Sequence, residues 1–511
     1  MSKNVDSHKT VRPLGYNEQY ELAQYTLGYH RGVSTTCRYA IPGDVTAHQD
    51  PQSNLKNVVY AAIARVVSDS PMLQVSIEGA LSKKPVWAHI NSVNLEHHVE
   101  WISLDGLANR QLVLQEKISS ELDTVFSELG VGPGWRIVVL HHARINDLDV
   151  VFTWNHAHTD GMGGKIFHDK LLAALAAEQQ NEAPPHTDNL KLDYPDAPSR
   201  FPPATEQFVK LPMSPGFLLR QGWNESKPTS LFQNPSEAKW APVKTSPYKT
   251  QFRTCIIADS ALSGILTACR SHKTTLTATL HGLALFSLAR QLDEKAAPAF
   301  ACLTAIDQRR FLPSHPPNYP WLEPSTTMAN YVTNRTHEFD SALVAQVRSQ
   351  LVNQSQEDRL SGDQLDLLWL VSSKVRQEIE KRLQKGLKND RVGLMKFVSN
   401  ARELFEKESR KPRALSWGIS NLGVLDGTPK REANPSNEGQ ETWRISRAQF
   451  TLSAHIPDAA LLIDAVSVKG GELVITCTWQ NTVVETTLAE RVVEDLKGWL
   501  TQIGEPSRSA P

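Results

Sequence analysis

Two β-rich runs, Trp135–His142 and Leu148–Trp154, flank the polar turn Ala143–Asp147 and predict a hairpin. The second run leads straight into Asn155-His156-Ala157-His158-Thr159-Asp160-Gly161, and Gly163-Gly164 follow. Next comes Lys165–Ala177, with Ile166, Phe167, Leu171, Leu172 and Leu175 at the spacing of an amphipathic helix. Strand, short loop and helix in direct succession commit this part of the chain to a mixed α/β structure. Loops in that position commonly present reactive groups on a rigid scaffold.

The same pattern extends to both sides. Helical spacing covers Glu18–Tyr29 and Leu55–Asp69, and strand patterns cover Thr35–Ala40, Leu73–Ile77 and Val86–Ile90. Beyond residue 250, Ser260–Ser271, Thr275–Arg290, Leu365–Leu387 and Leu488–Ile503 read as helices, the first with Asp259 or Ser260 as its cap. Phe300–Ile306, Leu415–Ile419, Trp443–Leu452, Leu461–Val468 and Glu472–Trp479 read as strands. A chain of 511 residues exceeds one compact core. The expected division is an amino-terminal lobe over 1–180 and a carboxyl-terminal lobe over 251–511. Between them, 181–250 holds about 12 of the 30 prolines, so regular elements stay short. Aromatic residues persist there (Tyr194, Phe217, Trp240 among them), which marks an ordered crossing segment rather than a disordered linker.

Charge removes some functions from consideration. With 54 basic and 55 acidic residues and no basic stretch, nothing favours a nucleic acid or an anionic membrane as partner. Cys37, Cys255, Cys269, Cys302 and Cys477 are scattered without C-x-x-C spacing, which points to free thiols, a reducing compartment and no structural zinc. No signal-peptide pattern opens the chain and no transmembrane run occurs, so a cytoplasmic location is expected.

His156-x-x-x-Asp160 is the constellation with chemical content. In a chain with 17 histidines such a spacing arises by chance about once, so the surrounding elements carry the argument. A neutral imidazole takes a proton from a hydroxyl or amine and later returns it. Asp160 is also placed to cap the following helix. His158 would point away from His156 on extended backbone and reads as a packing residue. Nothing near His156, His158, His168 and Asp169 fixes a third metal ligand, so no metal is expected. No G-x-S-x-G elbow, Walker loop or dinucleotide fingerprint is present.

Strand-His156-x-x-x-Asp160-Gly161-helix resembles the acyltransferase superfamily of chloramphenicol acetyltransferase, plant BAHD acyltransferases and nonribosomal-peptide condensation domains, and within it the fungal and yeast alcohol acetyltransferases. Val11–Gly15, Glu21, Pro71–Leu73, Thr275–Arg290, Asp307–Arg310, Met328–Tyr331 and Ser420–Gly423 continue the resemblance along most of the chain. The plant Asp-Phe-Gly-Trp-Gly motif is absent, with Ser416–Gly423 in a comparable place, and Asn155 stands where condensation domains carry a second histidine.

The resemblance implies two related α/β lobes, each a mixed sheet with flanking helices, and a tunnel between them. It implies His156 as general base, Gly161 in support, and Asp160 turned away to pair with an arginine, Arg309 first and Arg310 second. Asn155, Ser420 and Asn421 are the candidates for the tunnel wall. The expected reaction is acyl transfer, acetyl from acetyl-CoA, to a small-molecule alcohol by a monomer without a permanently bound cofactor. An amine acceptor, a carrier-bound donor with condensation or cyclisation chemistry, and a non-catalytic binding role on the same scaffold are the alternatives.

Overall fold

The computed structural model describes residues 9–47, 49–104, 109–142, 146–179, 190–226, 234–352, 359–429 and 441–505. Parts of the expected hairpin turn (143–145) and of the crossing segment (181–189, 227–233) lie outside these residues. Among the described residues, the elements form a mixed α/β fold around two larger sheets.

The first sheet has five strands in the order Arg444–Leu452, Gly32–Ala40, Asp147–Asn155, Trp135–His142, Val99–Leu104. The hairpin forms as its sequence pattern dictates, with Trp135 opposite Trp154 and His141 opposite Leu148. Asp147–Asn155 is buried along nearly its whole length, as befits a central strand with both faces covered. Helices Pro51–Ser68 and Gly161–Glu178 pack on this sheet and bury Val58, Ile63, Val66, Phe167 and Leu171 against Phe152 and Trp154. Phe152 and Phe167 stack with ring centroids 4.0 Å apart, and burying each such ring contributes on the order of 2–3 kcal/mol.

The second sheet has six strands in the order Thr250–Ile257, Leu473–Gln480, Ala459–Val468, Leu415–Leu425, Phe300–Asp307, Val332–Phe339. Leu415–Leu425 runs parallel to both its neighbours, and the outer pairs are antiparallel. Helices Asp259–Ser271, Leu276–Gln291, Gly362–Gln384 and Thr486–Gly504 close its core around Phe300, Trp417, Trp479 and Trp499. Ala258, not Asp259 or Ser260, is the cap residue of the first of these helices; Asp259 sits inside its first turn.

One strand crosses between the sheets. Arg444–Leu452 has the expected strand character but lies on the edge of the first sheet, antiparallel to Gly32–Ala40, although 251–511 is the stretch assigned to the second lobe. Its apolar residues Ile445, Ala448 and Phe450 complete the core that contains Phe152 and Phe167. Leu422, Leu425 and Val466 from the second sheet join the same cluster, so a continuous apolar seam ties the two sheets together. Within the crossing segment, Lys191–Asp193 pairs with Ser92–Asn94, and helices form at Thr205–Phe208 and Pro215–Ser226.

All five cysteines are free and buried. Among the described residues, no helix is long and apolar enough to cross a membrane, and no group of three or more His, Cys, Asp or Glu side chains is placed to hold a metal ion.

Candidate active site

The end of strand Asp147–Asn155 delivers the motif to the seam. Asn155 N donates to Gly134 O at 2.8 Å, and His158 N to Asn155 O at 2.9 Å, so 156–158 form a turn rather than extended backbone. Alternation of side chains therefore does not apply. His158 packs edge-on against Trp87 with ring centroids 4.8 Å apart, and its Nε2 accepts from Gly134 N at 3.2 Å. Burial pushes its imidazole down to about 4, which keeps the ring neutral. With that nitrogen committed, His158 has no lone pair there for a metal.

Asp160 closes the turn and opens the helix. Its Oδ1 accepts from Gly163 N at 2.9 Å, an N-cap bond, and its Oδ2 accepts from Arg309 Nη1 at 2.7 Å and Tyr331 N at 2.8 Å. Both the capping role and the arginine pairing fall on one carboxylate. Arg309 is buried and spends its remaining donors on Asp307 Oδ1 (3.0 Å), Pro324 O (3.1 Å), Thr327 O (3.2 Å) and Ala329 O (2.8 Å). Burial alone would lower its pKa, but Asp160 and Asp307 more than offset that and hold it above the ordinary arginine value. Arg310 is exposed. Asp160 and Arg309 thus form a dry clasp between the motif and the turn Gln308–Phe311 that follows strand Phe300–Asp307.

The helix begins at Gly161, four residues before the periodic pattern suggests, because the glycines belong to its first turn. A Cβ on Gly163 would sit 1.6 Å from Thr159 Oγ1, and one on Gly164 would sit 2.3 Å from the Trp154 ring. What approaches these glycines is the protein's own packing. Gly161 faces Phe450 and Leu422 across the seam, with no room for a larger residue.

His156 is the half-exposed member of a buried run, since Asn155, Ala157, His158, Thr159 and Asp160 are all at most 2% exposed. Asn330 Nδ2 donates to the His156 carbonyl at 2.8 Å and lies 3.4 Å from its Nδ1, the limit of a hydrogen bond. Among the described residues none hydrogen-bonds His156 Nε2. His30 stands beside it with ring centroids 5.6 Å apart, and His455 stands 4.8 Å beyond His30. Asn330, His30 and His455 were not singled out from the sequence. Asn330 lies in Met328–Tyr331, a stretch that marks the resemblance without suggesting a contact to His156.

The tunnel-wall candidates are placed differently from one another. Asn155 is fully buried, its Oδ1 accepting from Ala157 N at 2.9 Å, so it shapes the turn and has no surface to offer a substrate. Ser420 and Asn421 are half-exposed on strand Leu415–Leu425, which bulges between Asn421 and Val424 around Gly423, at φ 73°. Asn421 Nδ2 donates to Thr277 Oγ1 at 3.0 Å, and its Oδ1 accepts from Gly423 N at 2.8 Å. Neither residue makes a hydrogen bond to His156.

Two mixed sheets joined at a His-x-x-x-Asp turn give the fold shared by chloramphenicol-acetyltransferase-like enzymes and condensation domains. The fold of this chain is similar to that of a trichothecene 15-O-acetyltransferase from Fusarium sporotrichioides, with a TM-score of 0.68 at 12% identity, covering 96% of this chain and 94% of that one. It is also similar to the first condensation domain of the calcium-dependent antibiotic synthetase, with a TM-score of 0.58 at 12% identity over 98% of each chain. Residues 109–406 match the alcohol acetyltransferase family, and the chain belongs to that family. Two curated relatives are the probable alcohol acetyltransferase FCK4 of Fusarium pseudograminearum, 27% identical over 97% of this chain and 95% of its own, and the probable alcohol acetyltransferase crmB of Aspergillus fumigatus, 23% identical over 94% and 96%.

Proposed function

We propose that this acyltransferase carries an acyl group, acetyl foremost, from acyl-CoA to the hydroxyl of a small molecule, with His156 as the general base. The observation that carries the reading is the state of His156: half-exposed at the seam, held through its carbonyl by Asn330, and with Nε2 hydrogen-bonded by none of the described residues. The family and the names of the relatives support acetyl as the group and an alcohol as the acceptor.

In this reading Nε2 takes the hydroxyl proton as the oxygen attacks the thioester carbonyl. The C–O bond forms, the tetrahedral intermediate collapses, the C–S bond breaks, and the imidazolium returns its proton to the departing thiolate. No net proton is taken up. Asp160 and Arg309 act by holding the turn. Both substrates would meet between the lobes, where orientation is worth roughly 7–11 kcal/mol in favourable cases. Ser420 and Asn421 are assigned to the wall on the second-lobe side.

Thiol release from acetyl-CoA by the purified protein, against a panel of alcohols and amines beside H156A, tests this. Release that depends on an alcohol and is lost in a folded H156A supports the reading. Release that depends only on amines would reassign the acceptor. No release from any short acyl-CoA, with turnover of a carrier-bound thioester, would reassign the donor.

A further inference from the structure

Proton transfer to His156 creates a cation at the seam, and the carboxylate of its own motif is not free to answer it. Both Asp160 oxygens are engaged, one by Arg309 and Tyr331 N, the other by Gly163 N. Another carboxylate stands close by, against the histidine that neighbours His156. Helix Tyr16–Thr26 carries Glu21 at its middle, and the chain turns back at Gly28, φ 72°, with Tyr29 N bonded to Gln24 O at 2.8 Å. That reversal brings His30 back beside Glu21, Nδ1 to Oε2 at 3.8 Å, and next to His156. Gln24 Nε2 donates to Glu21 Oε2 at 3.2 Å, and Gln24 Oε1 meets His455 Nε2. The turn that carries His455 is itself fixed, by Ile456 N to Tyr29 O at 2.9 Å and by Arg413 Nη1 to His455 O at 3.0 Å.

We propose that Glu21 is the counter-charge for the imidazolium of His156, a positioning residue for acyl transfer, with the His30 ring packed beside both. The proposal rests on the reading of His156 as the base. The surroundings agree with it. His30 is 3% exposed, and its buried Nε2 has no hydrogen-bond partner, so it is a polar ring kept beside His156 without a structural bond on that side. Burial pushes the His30 imidazole down, which favours the neutral ring beside Glu21 and His156. Glu21 is held below the usual carboxylate range: burial opposes ionisation, but His156 and His30 outweigh it. The other charged and titratable groups that reach this row are Tyr20, Asp458, Arg391, Arg413 and Glu408. Burial raises the Asp458 carboxyl to about 6.

A negative charge beside a base favours its protonated form. Glu21→Gln therefore moves the acid limb of kcat/KM to lower pH, by about one unit, and lowers the plateau about tenfold. Glu21→Asp keeps the charge one methylene further away and moves both in the same direction by less. Asp458→Asn, measured alongside, removes the competing titration and leaves the shift caused by Glu21→Gln in place. Circular dichroism confirms each fold; where Glu21→Gln does not fold, Glu21→Asp decides alone. A lower plateau with an unmoved acid limb overturns the proposal, because loss of packing gives that result. So does an unchanged profile, or Glu21→Asp matching Glu21→Gln. Activity surviving in H156A removes this proposal and the base together; activity lost in H156A with an unmoved limb in Glu21→Gln removes this proposal alone.

Discussion

Two polar clusters meet at the motif and differ in how completely they are bonded. In the clasp, Arg309 makes five hydrogen bonds to Asp160, Asp307, Pro324, Thr327 and Ala329, and Asp160 accepts three. In the row His156, His30, His455, the rings stand 4.8–5.6 Å apart, His30 Nε2 is unpartnered and so is Asn330 Oδ1. A satisfied buried network fixes a geometry, whereas an unsatisfied one stores a desolvation cost that a ligand can relieve. The clasp accordingly reads as scaffold and the row as the reacting face, although one turn joins them.

The clasp can be broken directly. Arg309→Ala leaves the Asp160 carboxylate buried without its cation and is expected to cost roughly 3–5 kcal/mol in chemical unfolding. Arg309→Lys restores the charge but not the planar fork, and falls between. If Arg309→Ala unfolds like wild type yet abolishes turnover, the clasp is part of the chemistry and the contrast fails.

Two buried histidines away from the row carry the contrast into pH. His168 lies between Tyr39 Oη, 2.8 Å from Nδ1, and Thr35 O, 3.1 Å from Nε2, and burial pushes it down to about 4, as for His158. In the unfolded chain both rings take up protons near pH 6.5, while in the fold they do so only near 4. The unfolded state thus binds more protons between those values, and stability falls as pH drops through that window and is level above it. By pH 5 the loss is about 2 kcal/mol per ring. Unfolding midpoints measured from pH 7.5 to 5 check this, and His168→Gln should flatten the slope. A midpoint that rises on acidification contradicts the assignment.

The smallest effect is expected at the join. Asn330→Ala deletes the bond to the His156 carbonyl, costs about 1 kcal/mol of stability, and reduces kcat more than it changes KM. Equal losses in both would make Asn330 a binding residue instead.

Much of this arrangement is local and therefore legible in the chain itself. Alternating apolar residues announce the hairpin, the heptad-like spacing announces the helix after it, and the turn between them isolates His156. Contacts between distant segments are another matter. The cluster of Glu21, His30, His455 and Asn330 near His156 forms only because a helix reversal, the 324–331 turn and the 453–458 turn converge, and no linear spacing encodes that. Arg309 as partner came from resemblance rather than periodicity. Strand Arg444–Leu452 shows its pattern plainly, but pairing across some 400 residues is decided by which core its apolar face completes. The apolar period becomes visible only from Lys165, whereas the helix starts at Gly161 because Thr159 and Trp154 leave room for nothing larger than glycine at 163 and 164. Helix Arg110–Asp123 was not anticipated, since it buries only Leu114, Ile118, Glu121 and Leu122 and its mean pattern is polar.

The central claim is that His156 is the base. Acceptor-dependent thiol release by H156A, measured with and without added imidazole while its unfolding is followed in parallel, tests that most directly. The account predicts wild-type unfolding, a loss of at least about 100-fold, and partial recovery that follows the neutral fraction of imidazole. Undiminished release by a folded H156A would contradict it.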